Sequence, residues 1–257
     1  MAAPTLEISQ GEYRKASEPA QDIYLERKAN RMTLIAGLVG ADGIVLAADK
    51  CGINFATEEA HLDDRVGICK IFNFEKHRVA VAIAGDEVTE AVGMALSREL
   101  DAGPFGHDAI ESELERIANR AIDEAVAAAN PHPIPQRKRA MLVVFYGDGL
   151  QMWRLDIAAT WPFSKVRRID GMAICGALGN SARHFEHYYQ YNLPIARLKT
   201  LAAHIVLTGH AVSGLIDGLD IATFGKDGYH WLSEEEKQPL RARSKEVDRT
   251  IRELLLG

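Results

Sequence analysis

The chain has 257 residues, 47% of them hydrophobic and 26% charged, with a formal net charge of -6. That balance fits a folded chain with a substantial core, and its acidity argues against a nucleic-acid backbone as the main partner. Cys51, Cys69 and Cys175 are too few and too far apart for a disulfide framework or paired metal ligands, and neither a basic-then-apolar leader nor a membrane-length apolar run stands out, so a cytoplasmic protein off the membrane is expected.

Residues 1–32 are polar and broken by Pro4, Gly11 and Pro19, so they are expected to form an extension ahead of the folded body, with "YLERKAN" either a short helix or extended. From Thr33 the texture changes. "TLIAGLV" and "IVLAADK" are short apolar runs around "GADG", a hairpin signal. "GICKIFNF" and "RVAVAIAG" make a second pair of strands around "EKH".

Gly85 ends that pair, Asp86 is placed to cap, and "DEVTEAVGMALSREL" has helical spacing to about Leu100. "DAIESELERIANRAIDEAVAAAN" is a second amphipathic helix. "PHPIPQRKR" is a loop, within which Arg137, Lys138 and Arg139 are expected to be solvated. "AMLVVFYG" and "LQMWRLD" pair around "DG", and "KVRRIDGMAICGA" adds strand. Next come a third helix at "NSARHFEHYYQY", a fourth at "PIARLKTLAAHIVLTGHAVS", a hairpin at "LDIATFGKDGYHWLS" and a last helix at "SKEVDRTIRELLL". Strand pairs alternating with helix pairs bury every apolar face if two antiparallel sheets stack between helix layers. The expected class is α+β, a four-layer α/β/β/α sandwich over 33–257.

This order, together with "TLIAGLVGADGIVLAADK", "KIFNFEKHRVAVAIAGD" and "GALGNSARHFEHYY", resembles the β-type subunits of the proteasome family, within the N-terminal nucleophile hydrolases. The resemblance implies a mature chain beginning at Thr33, whose hydroxyl attacks a peptide carbonyl while its own α-amine acts as base; residues 1–32 are then a propeptide, or a permanent extension if the subunit is non-catalytic. It further implies that Asp49 and Lys70 support the nucleophile, that Gly85 donates its N–H to the oxyanion, and that Ser213, at the end of the fourth helix, is a supporting residue of the site.

Each residue type suits such a role. A hydroxyl needs a base, and an α-amine with a pKa of about 8 serves at neutral pH. A lysine ammonium beside it lowers that pKa by like-charge repulsion, and a carboxylate orients the lysine. A backbone N–H at a strand-to-helix turn stabilises developing negative charge. Taken singly, Thr33 is a strand residue, Asp49 a strand end, Lys70 a solvated residue and Gly85 a turn. Three departures from the family pattern stand beside the match. Ala177 occupies the place of a usual serine, His210 that of an aspartate three before Ser213, and Met32 rather than glycine precedes Thr33.

Other constellations carry less. His184 and His187 flank Glu186 without a third metal ligand at a recognisable spacing, and are expected at a surface. Trp153, Trp161 and Trp231 are expected in packing roles. The expected activity is a threonine-type endopeptidase without cofactor or metal, acting on peptides or unfolded protein. A homo-oligomeric ring and an unfoldase or regulator are the implied partners, with no nucleic acid and no membrane. A non-catalytic structural or regulatory subunit and a small-molecule amidase are the alternatives.

Overall fold

The computed structural model describes residues 33–53, 65–103, 109–129, 139–147, 149–158, 164–176, 181–213 and 216–256. The chain divides into two units, Met1–Asn30 and Arg31–Gly257, and all the strands and helices named here lie in the second. The expected extension, Met32, Trp161, Ala177 and most of the "PHPIPQRKR" loop lie outside the described residues.

Successive side chains of a strand point to opposite faces, so strands covered on both sides are apolar throughout and divide their residues between a helix layer and the facing sheet. In β1 (Leu34–Val39) and β2 (Gly43–Ala48), Leu34, Ala36, Leu38, Val45 and Ala47 face a helix layer, while Ile35, Ile44, Leu46 and Ala48 face the other sheet. After them β3 (Cys51–Ile53) and β4 (Arg65–Gly67) form a small ribbon that the polar composition of this stretch conceals. β5 (Ile71–Phe74) then pairs with β6 (Val79–Ala84), whose Val79, Val81 and Ile83 face outward to helices and whose Ala80, Ala82 and Ala84 face inward. Small inner residues allow the two sheets to pack closely.

Asp86 caps α1 (Glu87–Ala102), which packs with α2 (Ile110–Ala129) on the outer face of the sheet containing β6. β7 (Arg139–Phe145), β8 (Gln151–Ile157) and β9 (Ser164–Ile169) complete that sheet in the order β5-β6-β7-β8-β9. β10 (Met172–Gly176) crosses to the first sheet and pairs with β1. The chain then runs through α3 (Ile195–Val212), β11 (Asp220–Gly225), β12 (Gly228–Trp231) and α4 (Glu234–Leu256). The first sheet has the order β10-β1-β2-β11-β12 and is covered outside by α3 and α4. The α/β/β/α sandwich expected from the sequence is the observed fold.

Three local expectations need correction. Ser181–Tyr188 is 3₁₀ helix. Its buried residues, Ala182 and Phe185, are three apart, the repeat of that tighter helix. The last helix begins at Glu234, ten residues before Ser244, because Ser233 and Glu236 form a reciprocal capping box. The Ser233 N–H bonds Glu236 Oε2 at 2.8 Å, and the Glu236 N–H bonds Ser233 Oγ at 3.2 Å. Finally, Arg139 is not solvated: it opens β7 as a buried side chain paired with Asp86.

Candidate active site

β1 and β2 run antiparallel, so the start of one meets the end of the other, with Ile35 opposite Ala48. Thr33 stands immediately before β1 and Asp49 immediately after β2, both buried. The Leu34 N–H donates to Asp49 Oδ1 at 2.8 Å, and the Asp49 N–H donates to the Leu34 carbonyl at 3.1 Å. The residue after Thr33 is therefore tied to Asp49 through both its main-chain polar groups.

Lys70 arrives from the other sheet. It sits just before β5, where its own carbonyl accepts from the Ile83 N–H at 2.9 Å, and its side chain is turned inward. Lys70 Nζ donates to Asp49 Oδ2 at 2.7 Å and to the Cys51 carbonyl at 2.9 Å. The Cys51 N–H also donates to Asp49 Oδ2, at 3.2 Å. Burial pushes the Asp49 carboxyl up, while the Lys70 ammonium and the N–H groups of Leu34 and Cys51 oppose that rise. An ion pair this deep needs such additional hydrogen bonds to offset the loss of water.

Gly85 stands where β6 turns into α1, with φ +154°. A Cβ there would lie 2.3 Å from Thr89 Oγ1 and 3.1 Å from Arg139 Cγ, so only glycine fits. Ser213, half-buried, is the C-cap of α3: its N–H bonds the Gly209 carbonyl, and its own carbonyl accepts from Ile216 at 3.0 Å. A Cβ on Gly209 would lie 2.6 Å from Leu34 Cδ2, so this end of α3 lies beside the start of β1. His210, in the same last turn, directs Nδ1 to the Ile216 carbonyl, with Asp217 Oδ1 3.9 Å away.

The structure thus joins Leu34, Asp49, Cys51 and Lys70 by hydrogen bonds at the head of β1, directly after Thr33. Gly85 and Ser213 occupy the expected strand-to-helix and helix-end positions. Sequence reasoning missed the Cys51 carbonyl, a main-chain acceptor with no side-chain signature, and Gly176. A Cβ on Gly176 would lie 1.8 Å from the Thr33 carbonyl oxygen. His184, Glu186 and His187 are exposed, with the His184 ring packed on Phe185 at 4.0 Å. Among the described residues no group of three or more His, Cys, Asp or Glu side chains is arranged to hold a metal ion. Among the same residues no helix is long and apolar enough to cross a membrane.

No protein-family model and no curated protein matches this chain by sequence. Its fold does match that of solved proteins. An Anbu mutant from Hyphomicrobium sp. strain MC1 is similar with a TM-score of 0.64 over 88% of this chain and 97% of that one, at 12% sequence identity. The fold is that of the N-terminal nucleophile hydrolases: two antiparallel sheets stacked between helix layers.

Proposed function

We propose that this chain is a threonine-nucleophile hydrolase that cuts peptide bonds once Thr33 has become a free N-terminus. The observation that carries this reading is the buried Lys70–Asp49 pair, held at the head of β1 by the N–H of the residue next to Thr33. Thr33 Oγ bonds to the substrate carbonyl carbon as the α-amine takes its proton. The carbonyl oxygen becomes an oxyanion facing the Gly85 N–H. The C–N bond then breaks, the proton passes to the leaving nitrogen, and an ester remains on Thr33. Water, deprotonated by the same amine, attacks that ester; the acid departs and the proton returns to Oγ. Lys70 keeps the amine neutral by like-charge repulsion, and Asp49 holds Lys70 in place.

The test is the intact mass and N-terminal sequence of the full chain after incubation at neutral pH, beside Thr33→Ala. A chain beginning at Thr33, formed by the native protein and not by the variant, is the expected result. A stable full-length chain of 28.3 kDa that takes up no hydroxyl-directed peptide boronate would overturn the reading.

His210 favours a second reading, a structural or regulatory subunit without turnover. The family pattern has an aspartate there; here an imidazole turns to the Ile216 carbonyl instead. The same mass measurement separates the two readings. With the catalytic reading go a homo-oligomeric ring enclosing the sites, an unfolding or gating partner, and a cytoplasmic setting. Light scattering tests the ring, since a small-molecule amidase would be a monomer or dimer.

A further inference from the structure

The buried ion pair Asp86–Arg139 lies beside Gly85 and outside the Thr33, Asp49 and Lys70 group. Arg139 Nε donates to Asp86 Oδ1 at 2.6 Å and Nη2 to Oδ2 at 2.7 Å, a two-pronged contact between side chains only 1% and 3% exposed. Asp86 is also the N-cap of α1. Its Oδ1 accepts from the Val88 N–H at 3.2 Å, and its carbonyl accepts from Thr89 at 2.9 Å and Glu90 at 3.2 Å. Arg139 is rooted at the start of β7, where its neighbour Ala140 pairs with Ala84 of β6. Its methylene stem forms one wall against Gly85, and Thr89 Oγ1 the other.

Burying two full charges is costly, and apolar residues of the same shape are often as stable or more so. A helix N-cap needs only an uncharged acceptor. Neither capping nor packing therefore calls for a buried guanidinium. What the pair adds is rigidity: two parallel hydrogen bonds fix the plane of the Asp86 carboxylate to β7, and with it the turn that carries Gly85.

We propose that Asp86 and Arg139 are positioning residues that hold the Gly85 peptide at the angle required to meet the oxyanion. This role rests on the threonine-hydrolase reading of the site. A displacement of the donor by a fraction of an ångström weakens an interaction that is strongest in the transition state. Loss of the pair lowers kcat and leaves KM and the pH profile in place, because the nucleophile, its amine and Lys70 are untouched.

The experiment compares the full chain with Asp86→Asn, Arg139→Lys and the double variant Asp86→Asn/Arg139→Met. The double variant removes both charges and keeps much of the arginine's apolar stem, so it stays folded even where a single change does not. Reactive sites are counted by mass after labelling with a peptide boronate, and kcat and KM for an N-capped tetrapeptide aminocoumarin are expressed per labelled site. The expected result is a fall in kcat per site of about 10–100-fold in Asp86→Asn and the double variant, with KM within about twofold. Arg139→Lys, which keeps charge but loses the two-pronged contact, recovers only part of the rate. A kcat per site equal to that of the unaltered protein, with only the number of folded sites reduced, would assign the pair to structure alone. Failure of the unaltered chain to label at all would remove the hydrolase reading and this role with it, a distinct outcome.

Discussion

Lys70 Nζ lies 2.7 Å from Asp49 Oδ2, and neither side chain has more than a few per cent of its surface exposed. The two residues come from different sheets, so their contact is an electrostatic bolt between layers whose facing side chains pack as an apolar core. Lys70→Met leaves the Asp49 carboxylate buried without its counter-ion and is expected to cost about 3–5 kcal/mol. Asp49→Asn/Lys70→Met removes both charges and should regain much of that stability while remaining without hydrolytic activity. Urea unfolding midpoints, read beside peptide hydrolysis, check both expectations. Activity retained in the double variant would show that the pair serves the fold only.

Gly176, at the end of β10, has φ +108° and lies opposite Leu34. Gly176→Ala sets a Cβ against the Thr33 carbonyl, so β10 must pull away from β1 where the chain enters the sheet. Backbone strain alone should cost about 1–3 kcal/mol. Hydrogen exchange should accelerate along the β1–β10 edge before it does along the β1–β2 edge. Uniform acceleration of both edges would contradict a local effect.

Of the cysteines, Cys69 is exposed while Cys51 and Cys175 are buried. Burial pushes the Cys175 thiol up to about 11, leaving almost no thiolate at neutral pH. A disulfide-exchange reagent such as Ellman's should therefore modify Cys69 alone in the native protein, and all three cysteines in urea. Rapid native labelling of Cys175 would mean that β10 opens far more readily than its packing suggests.

Glu99 links the two outer helices by accepting hydrogen bonds from Arg120 and Arg116, and these contacts pull its carboxyl down to about 2 from an ordinary 4.5. A carboxyl held low in the folded state favours folding above its unfolded value and loses that contribution as pH falls. Glu99→Gln should thus lower the unfolding midpoint by a constant amount above pH 4.5. The gap should close as pH drops toward about 2. Because the group is near solvent, added salt should shrink the gap at every pH. Parallel midpoint curves down to about pH 2 would refute the linkage.

The layers were legible from the sequence because period-two strands and amphipathic helices leave strong local signals. "RVAVAIAG" shows valine and isoleucine on one face and alanine on the other, which is how β6 sits between helices and sheet. The three places where the structure departs from expectation are governed by distant partners or by caps. Arg139 is the last residue of a basic run, and its burial depends on Asp86, 53 residues earlier. Ser181–Tyr188 has helical composition, but its tighter winding reflects where Ala182 and Phe185 meet the core. The start of α4 is encoded locally, since "SEEE" contains the Ser-x-x-Glu capping pattern, yet the apolar spacing further along points to a later boundary. At the site, the strand-end residues are identifiable by type and order, whereas the Cys51 carbonyl and the tight approach of Gly176 are main-chain features that only folding reveals.

A newly exposed chain end normally frays, because its first residue is anchored on one side only. Here the second residue of any chain starting at Thr33 is gripped from both sides of its peptide units by Asp49. Cutting the bond before Thr33 would remove none of those bonds. The terminus would be created already immobilised, with its orientational entropy lost during folding and not again at each encounter with substrate.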